Sequence, residues 1–166
     1  MRKILPLLLS LLVIAGCEHG LQPVTGFEGT VTLPSDASGE VQFPDSLPGA
    51  VVAFVPYSLD LSAETLSSQI LGYSQPLDLQ RTTQSYFLQA RPNEFYIVGV
   101  VATTVPVNRI LTLPTDSLAA HPEYFQVVGF YSQPDQPSQL GIVHFGDDEI
   151  QSGVDIRVNP EIRFPF

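Results

Sequence analysis

Lysine is nearly missing from this 166-residue chain, since Lys3 is the only one. Phosphate-cradling loops of the glycine-and-lysine type are thereby excluded, and nucleotide hydrolysis with them. Cysteine is as scarce: Cys17 stands alone, so no disulfide can form within one chain. Of the three histidines, His19, His121 and His144, no two share a motif, which argues against a zinc centre. Charged residues make up only 14% of the chain, with seventeen carboxylates against seven cations and a net charge of -10. Such a chain has no basic face for nucleic acid or for anionic headgroups.

What the chain does have is apolar residues, 44% of the total, and fifteen prolines. That composition fits neither a disordered tail nor a helical bundle, and it suits strands joined by Pro-rich turns in a single domain.

The first residues have the three parts of a secretory signal. Met1-Arg2-Lys3 is cationic, Ile4 to Ile14 is apolar except for Ser10 and Pro6, and Ala15-Gly16-Cys17 brings small residues to a cleavage point. The apolar run is too short to span a bilayer. Val13-Ile14-Ala15-Gly16-Cys17 resembles the lipobox of bacterial lipoproteins. The resemblance implies a signal peptide over 1–16 and a Cys17 that is diacylated and becomes the new N-terminus. Two or three acyl chains such as palmitate would hold the protein stably to membrane lipid, at about 0.8 kcal/mol per buried methylene. Glu18, where an aspartate would favour the inner membrane, implies an outer-membrane location in the cell envelope. Loss of Arg2 and Lys3 with the leader would leave five cations and lower the net charge from -10 to -12.

Residues 17–25 read as a lipidated tether with Gly20 and Pro23, and residues 26–166 as the folded domain. Phe27 to Leu33 alternates apolar and polar side chains as a half-buried strand does, and Pro34 to Pro48 is a loop. The apolar run Ala50 to Val55 reads as a central strand covered on both faces. Asp60 to Leu71 is the best helical candidate, capped by Asp60 or Ser62, and Thr115 to Ala120 is a candidate helical turn. Ser85 to Ala90 and Glu94 to Thr104 read as a hairpin turning at Arg91-Pro92-Asn93. Further strands are expected at Phe125 to Tyr131, Leu140 to Phe145 and Val154 to Asn159. The predicted fold is all-β, an antiparallel β-sandwich of about seven strands with one or two short helical turns in loops.

Gly29-Thr30-Val31, then Leu47-Pro48-Gly49-Ala50-Val51-Val52, then Tyr86-Phe87-Leu88 leading to Phe95-Tyr96-Ile97-Val98, resembles transthyretin-like or carboxypeptidase-regulatory-like domains. That resemblance implies a β-sandwich, and it brings in carriage of a small ligand as one role. Folds of this kind host many unrelated functions.

Asp147, Asp148 and Glu149 follow Gly146 in a turn, with Asp155 on the next strand. They are the candidate calcium ligands, because calcium takes six to eight oxygens and carboxylates with loop carbonyls supply several. A solvated turn is the plainer reading, since neighbours on a strand face opposite ways. Gly72-Tyr73-Ser74-Gln75 lacks the second glycine of a nucleophile elbow. An envelope hydrolase would therefore need Ser74, His144 and the 147–149 loop to meet in one pocket. Tyr86-Phe87, Phe95-Tyr96, Tyr124-Phe125 and Phe130-Tyr131 are neighbouring aromatic pairs, each expected to send one ring inward and one outward. Taken together, the residues favour a non-catalytic, membrane-anchored envelope module without cofactor. It would present loops or an edge strand to an envelope protein, peptide or glycan.

Overall fold

Residues 24–57, 69–110, 112–113, 120–137 and 139–161 are described by a computed structural model. Strand β1 (Gly26–Thr32) follows the alternation of its sequence: Phe27 and Val31 are fully buried, while Glu28 between them faces solvent. β4 (Thr83–Gln89) pairs antiparallel with it, from Gly26 opposite Gln89 to Thr32 opposite Thr83, and sends Tyr86 and Leu88 inward.

The second sheet is built on β2 (Gly49–Pro56) and β5 (Phe95–Thr103), antiparallel with Gly49 opposite Thr103 and Pro56 opposite Tyr96. Val52, Phe54, Val98 and Val100 pack into the main core. Ala53, Val55, Ile97 and Val101, which point the other way, are buried as well. Both faces of this pair are covered, so its sequences are continuous apolar runs and not alternations. The short β3 (Gly72–Tyr73) lies on the outer side of β2. The far side of β5 carries β6 (Phe125–Phe130) and β7 (Val143–His144), one after the other along the same strand.

β8 (Ile150–Gln151) and β9 (Ile156–Arg157) lie along β1 and run parallel to it. The reason is topological. β7 ends beside the start of β5, and residues 145–149 cross directly to the start of β1, so the chain leaves that end in the direction β1 takes. The otherwise antiparallel sandwich thus acquires one parallel seam. A bridge between Tyr131 and Ile156, and the Asn159 N–H donated to the Val128 carbonyl at 2.7 Å, tie the two sheets together on this side. On the other side, β3 and β4 are neighbours without a pairing between them, and among the described residues the sandwich is open there.

The all-β sandwich expected from sequence is the fold found, with nine strands in two sheets among the described residues. The expected hairpin over 85–104 is corrected. Its two strands exist, but β4 pairs with β1 and β5 pairs with β2, so Arg91-Pro92-Asn93 carries the chain from one sheet to the other. Tyr96 fixes this crossing: its ring is fully buried, and its hydroxyl donates back to the Arg91 carbonyl at 2.9 Å and lies 3.0 Å from Glu94 Oε2. Asn93 takes the left-handed backbone the crossing requires, at φ 61°. Among the described residues, the helical elements of more than one residue are α1 (Val107–Ile110) and a 3-10 turn at Pro122–Tyr124. Of the expected helices, 60–68 and 115–119 lie outside the described residues.

Tyr96 also gives the fold a pH dependence. Burial, then the hydrogen bond and charge of Glu94, push its hydroxyl from 10.0 to about 12, against a smaller opposing effect of Arg91. Tyr86 is shifted upward too, mainly by burial. The folded state therefore favours the neutral phenol, a contribution complete below pH 10 and lost as pH rises toward about 12. Stability measured by urea midpoint is expected to fall across that window, and Tyr96→Phe is expected to flatten the fall. An unchanged alkaline slope in Tyr96→Phe contradicts this assignment.

Candidate functional site

The open side of the sandwich holds a groove of about 790 Å³ between Ser74–Leu77 and Thr83–Phe87, with Arg81 at one end. The first wall continues the edge of sheet two. Ser74 and Leu77 donate their N–H groups to the Val52 and Ala50 carbonyls at 2.8 Å, and Ser74 Oγ accepts from the Val52 N–H at 2.9 Å. The turn between the walls is held by Gln84, which accepts from the Asp78 N–H at 2.8 Å and donates to the Asp78 carbonyl at 3.0 Å. Arg81 is 3.9 Å from Asp78 and both are exposed, a pair that contributes little stability.

The second wall is β4. Among the described residues it pairs only with β1, and its seven residues, Thr83 to Gln89, include no charge and no proline. Its register with β1 runs without a bulge. Edge strands in natural proteins are ordinarily blunted by charge, proline, bulges or shortness, so a long, plain, uncharged edge is a template for another strand. β3, the edge facing it, is only two residues long and is followed by Pro76, which has no N–H to offer.

Three of the four carboxylates suggested for calcium serve other partners. Asp147 Oδ1 accepts from Asn93 Nδ2 at 3.0 Å, and Glu149 Oε2 accepts from the Gly146 N–H at 2.9 Å, closing its own turn. Asp148 sits in that turn at φ 61°. Asp155 lies elsewhere, accepting from both the N–H and Oγ1 of Thr30 at 2.8 Å. Thr30 is four residues along β1 from Gly26, where Glu149 attaches, a separation of about 13 Å. Among the described residues, no group of three or more His, Cys, Asp or Glu side chains is gathered as metal ligands. Cys17 lies outside the described residues.

Ser74 and His144 do not meet. Ser74 follows β3 and His144 lies on β7, with β2 and β5 between them, about 14 Å across the sheet alone. His144 instead stacks on Phe95 at 4.4 Å.

Two aromatic pairs divide as expected, and the tyrosines are the inner members: Tyr86 and Tyr96 are buried while Phe87 and Phe95 are exposed. Burying a hydroxyl requires a partner. Tyr86 finds one in the Val154 carbonyl at 2.6 Å, as Tyr96 does at Arg91. Sequence reasoning passed over Arg81 and Gln84 of the groove; the signal that could have found the site was the absence of charge across 83–89. No family model, curated protein or solved structure matches this chain.

Proposed function

We propose that this chain is a lipid-anchored envelope protein without catalytic activity, and that it binds an extended peptide segment of an envelope partner along the edge of β4 that is unpaired among the described residues. The observation that carries the proposal is a seven-residue edge strand without charge, proline or bulge beside an open groove. Main-chain hydrogen bonds to β4 would supply affinity, and side chains of the guest would alternate between the groove and solvent. Arg81 offers a cation to a carboxylate on the guest. The anchor rests on the lipobox-like sequence ending at Cys17, and an outer-membrane location on Glu18 after it.

Carriage of a small ligand is the second reading, and the groove volume is in the range of small-molecule sites. Such sites are mostly apolar, whereas Ser74, Gln75, Arg81, Thr83, Gln84 and Ser85 line this one, which favours the peptide.

Selection of peptides that bind the chain, followed by amide exchange of the complex, tests the site. Binders are expected to slow exchange along 83–89, and Ser85→Lys with Phe87→Lys is expected to weaken them at least about tenfold, because a charged edge opposes strand addition. Protection confined to other segments, or full affinity in the lysine variant, contradicts the assignment.

A further inference from the structure

Nine large apolar side chains are exposed among the described residues, and five of them, Val24, Tyr57, Leu71, Phe95 and Ile150, collect at one end of the sandwich. The registers bring them there. β1 begins at this end with Gly26, opposite Gln89 where β4 finishes and level with Ile150 where β8 begins. β2 finishes there, with Pro56 opposite Tyr96 at the start of β5. Leu71 is tied to β2 near the same end, donating its N–H to the Phe54 carbonyl at 3.0 Å. Tyr57 donates its N–H to the Phe95 carbonyl at 2.7 Å, and His144 lies opposite Phe95 on the other side with the rings stacked. Tyr57, Phe95 and His144 thus form an aromatic row along the rim of the second sheet.

The N-terminal segment leaves from this same end. Val24 precedes Thr25, whose carbonyl accepts from the Ala90 N–H at 3.2 Å. Cys17 is seven residues before Val24 and so within about 25 Å of it even when the chain is fully extended. An anchor there brings the apolar rim to the bilayer surface.

We infer that this end of the domain rests on a zwitterionic lipid surface, with the rings of Tyr57 and Phe95 in the headgroup layer. The inference depends on the lipid-anchor reading above. Aromatic side chains favour that layer, where a ring meets apolar chains and polar headgroups together. Charge selects the kind of lipid. Among the described residues, Glu94, Asp147, Asp148 and Glu149 flank the rim against one cation, Arg91, so anionic headgroups are repelled. Ammonium-bearing headgroups suit both the carboxylates and the ring faces. Held in this way, the groove opens to the side, with its Arg81–Thr83 end directed away from the membrane, where a partner reaches it.

The chain contains no tryptophan, so a single one is a clean reporter. The test uses the chain from Cys17 onward, which holds every described strand, coupled through its only cysteine to a maleimide phospholipid in brominated phosphatidylcholine vesicles. Fluorescence of a Phe95→Trp variant is expected to be quenched at least about twofold more than that of Leu113→Trp, at the opposite end, as the headgroup preference of aromatic rings requires. Replacing half of the phosphatidylcholine by equally brominated phosphatidylglycerol, which keeps the quencher density constant, is expected to reduce the difference. Equal quenching at both positions overturns the inference, and so does stronger quenching of Phe95→Trp on the anionic vesicles. Chemical coupling supplies the tether in this experiment, so its outcome is separate from whether cells attach lipid to Cys17.

Discussion

Phe27→Ala is expected to lower the stability of the domain by about 3–5 kcal/mol, the range for removing a buried aromatic side chain. Phe27 is fully buried on β1, yet its ring contacts lie in the other sheet and the crossing loop. It meets Phe54 edge-on at 5.3 Å, Tyr96 at 6.2 Å and Phe145 at 6.4 Å. Phe54 and Tyr96 are in turn edge-on at 5.2 Å. Removing this ring takes away aromatic packing between the two sheets, and strands at that depth have little freedom to close the space. Against a total of about 5–15 kcal/mol for domains of this kind, the loss brings the chain close to unfolding. Urea denaturation is expected to show a lower midpoint with an unchanged slope. Phe87→Ala, on the exposed side of the neighbouring strand, is expected to stay within about 0.5 kcal/mol of the parent. Equal losses for the two variants contradict the assignment of the core.

Gly29→Ala is expected to cost about 3 kcal/mol or more, although it adds a single methyl group. Gly29 lies opposite Tyr86 on β1, and a Cβ there would collide with the Val154 carbonyl. That carbonyl projects inward where the chain bends between β8 and β9, and it accepts the Tyr86 hydroxyl hydrogen at 2.6 Å. The methyl group must push the carbonyl aside, which strains the backbone and deprives a buried hydroxyl of its acceptor. Each effect alone costs about 1–3 kcal/mol. Tyr86→Phe removes only the hydrogen bond and is expected to cost about 1–2 kcal/mol. Because both changes act on one contact, the double variant is expected to lose less than the sum of the singles. Strict additivity would mean that Gly29 and Tyr86 do not share the Val154 carbonyl.

The elements legible in sequence are those whose signal is local. The alternation around Phe27 and Val31 and the apolar run from Ala50 to Val55 mark their strands without reference to anything distant. Partner choice is not local. Pro92 and Asn93 end one strand and permit another equally well in a hairpin or in a crossing between sheets. What decides is the competition of β1 for β4 and of β2 for β5, together with the inward Tyr96 hydroxyl bound at Arg91. β3 and β8 are two residues each, too short for any periodicity to register.

The site was less legible than the fold for a related reason. Asp147, Asp148, Glu149 and Asp155 attract notice because they are close in sequence, but the bend that carries the chain along β1 takes Asp155 to Thr30, away from the others. The groove announces itself by no cluster of reactive side chains. Its mark is the uncharged strand from Thr83 to Gln89, and that absence gains meaning only once the strand is known to lie at an edge.

The anchor at Cys17 is the claim on which location, orientation and access to the groove all depend. Intact-mass analysis of the chain extracted from cell membranes tests it most directly. The expected product begins at Cys17, lacks residues 1–16 and carries the mass of a diacylglycerol thioether on that residue. A mature chain with a free thiol at Cys17, or one that retains the leader, contradicts it.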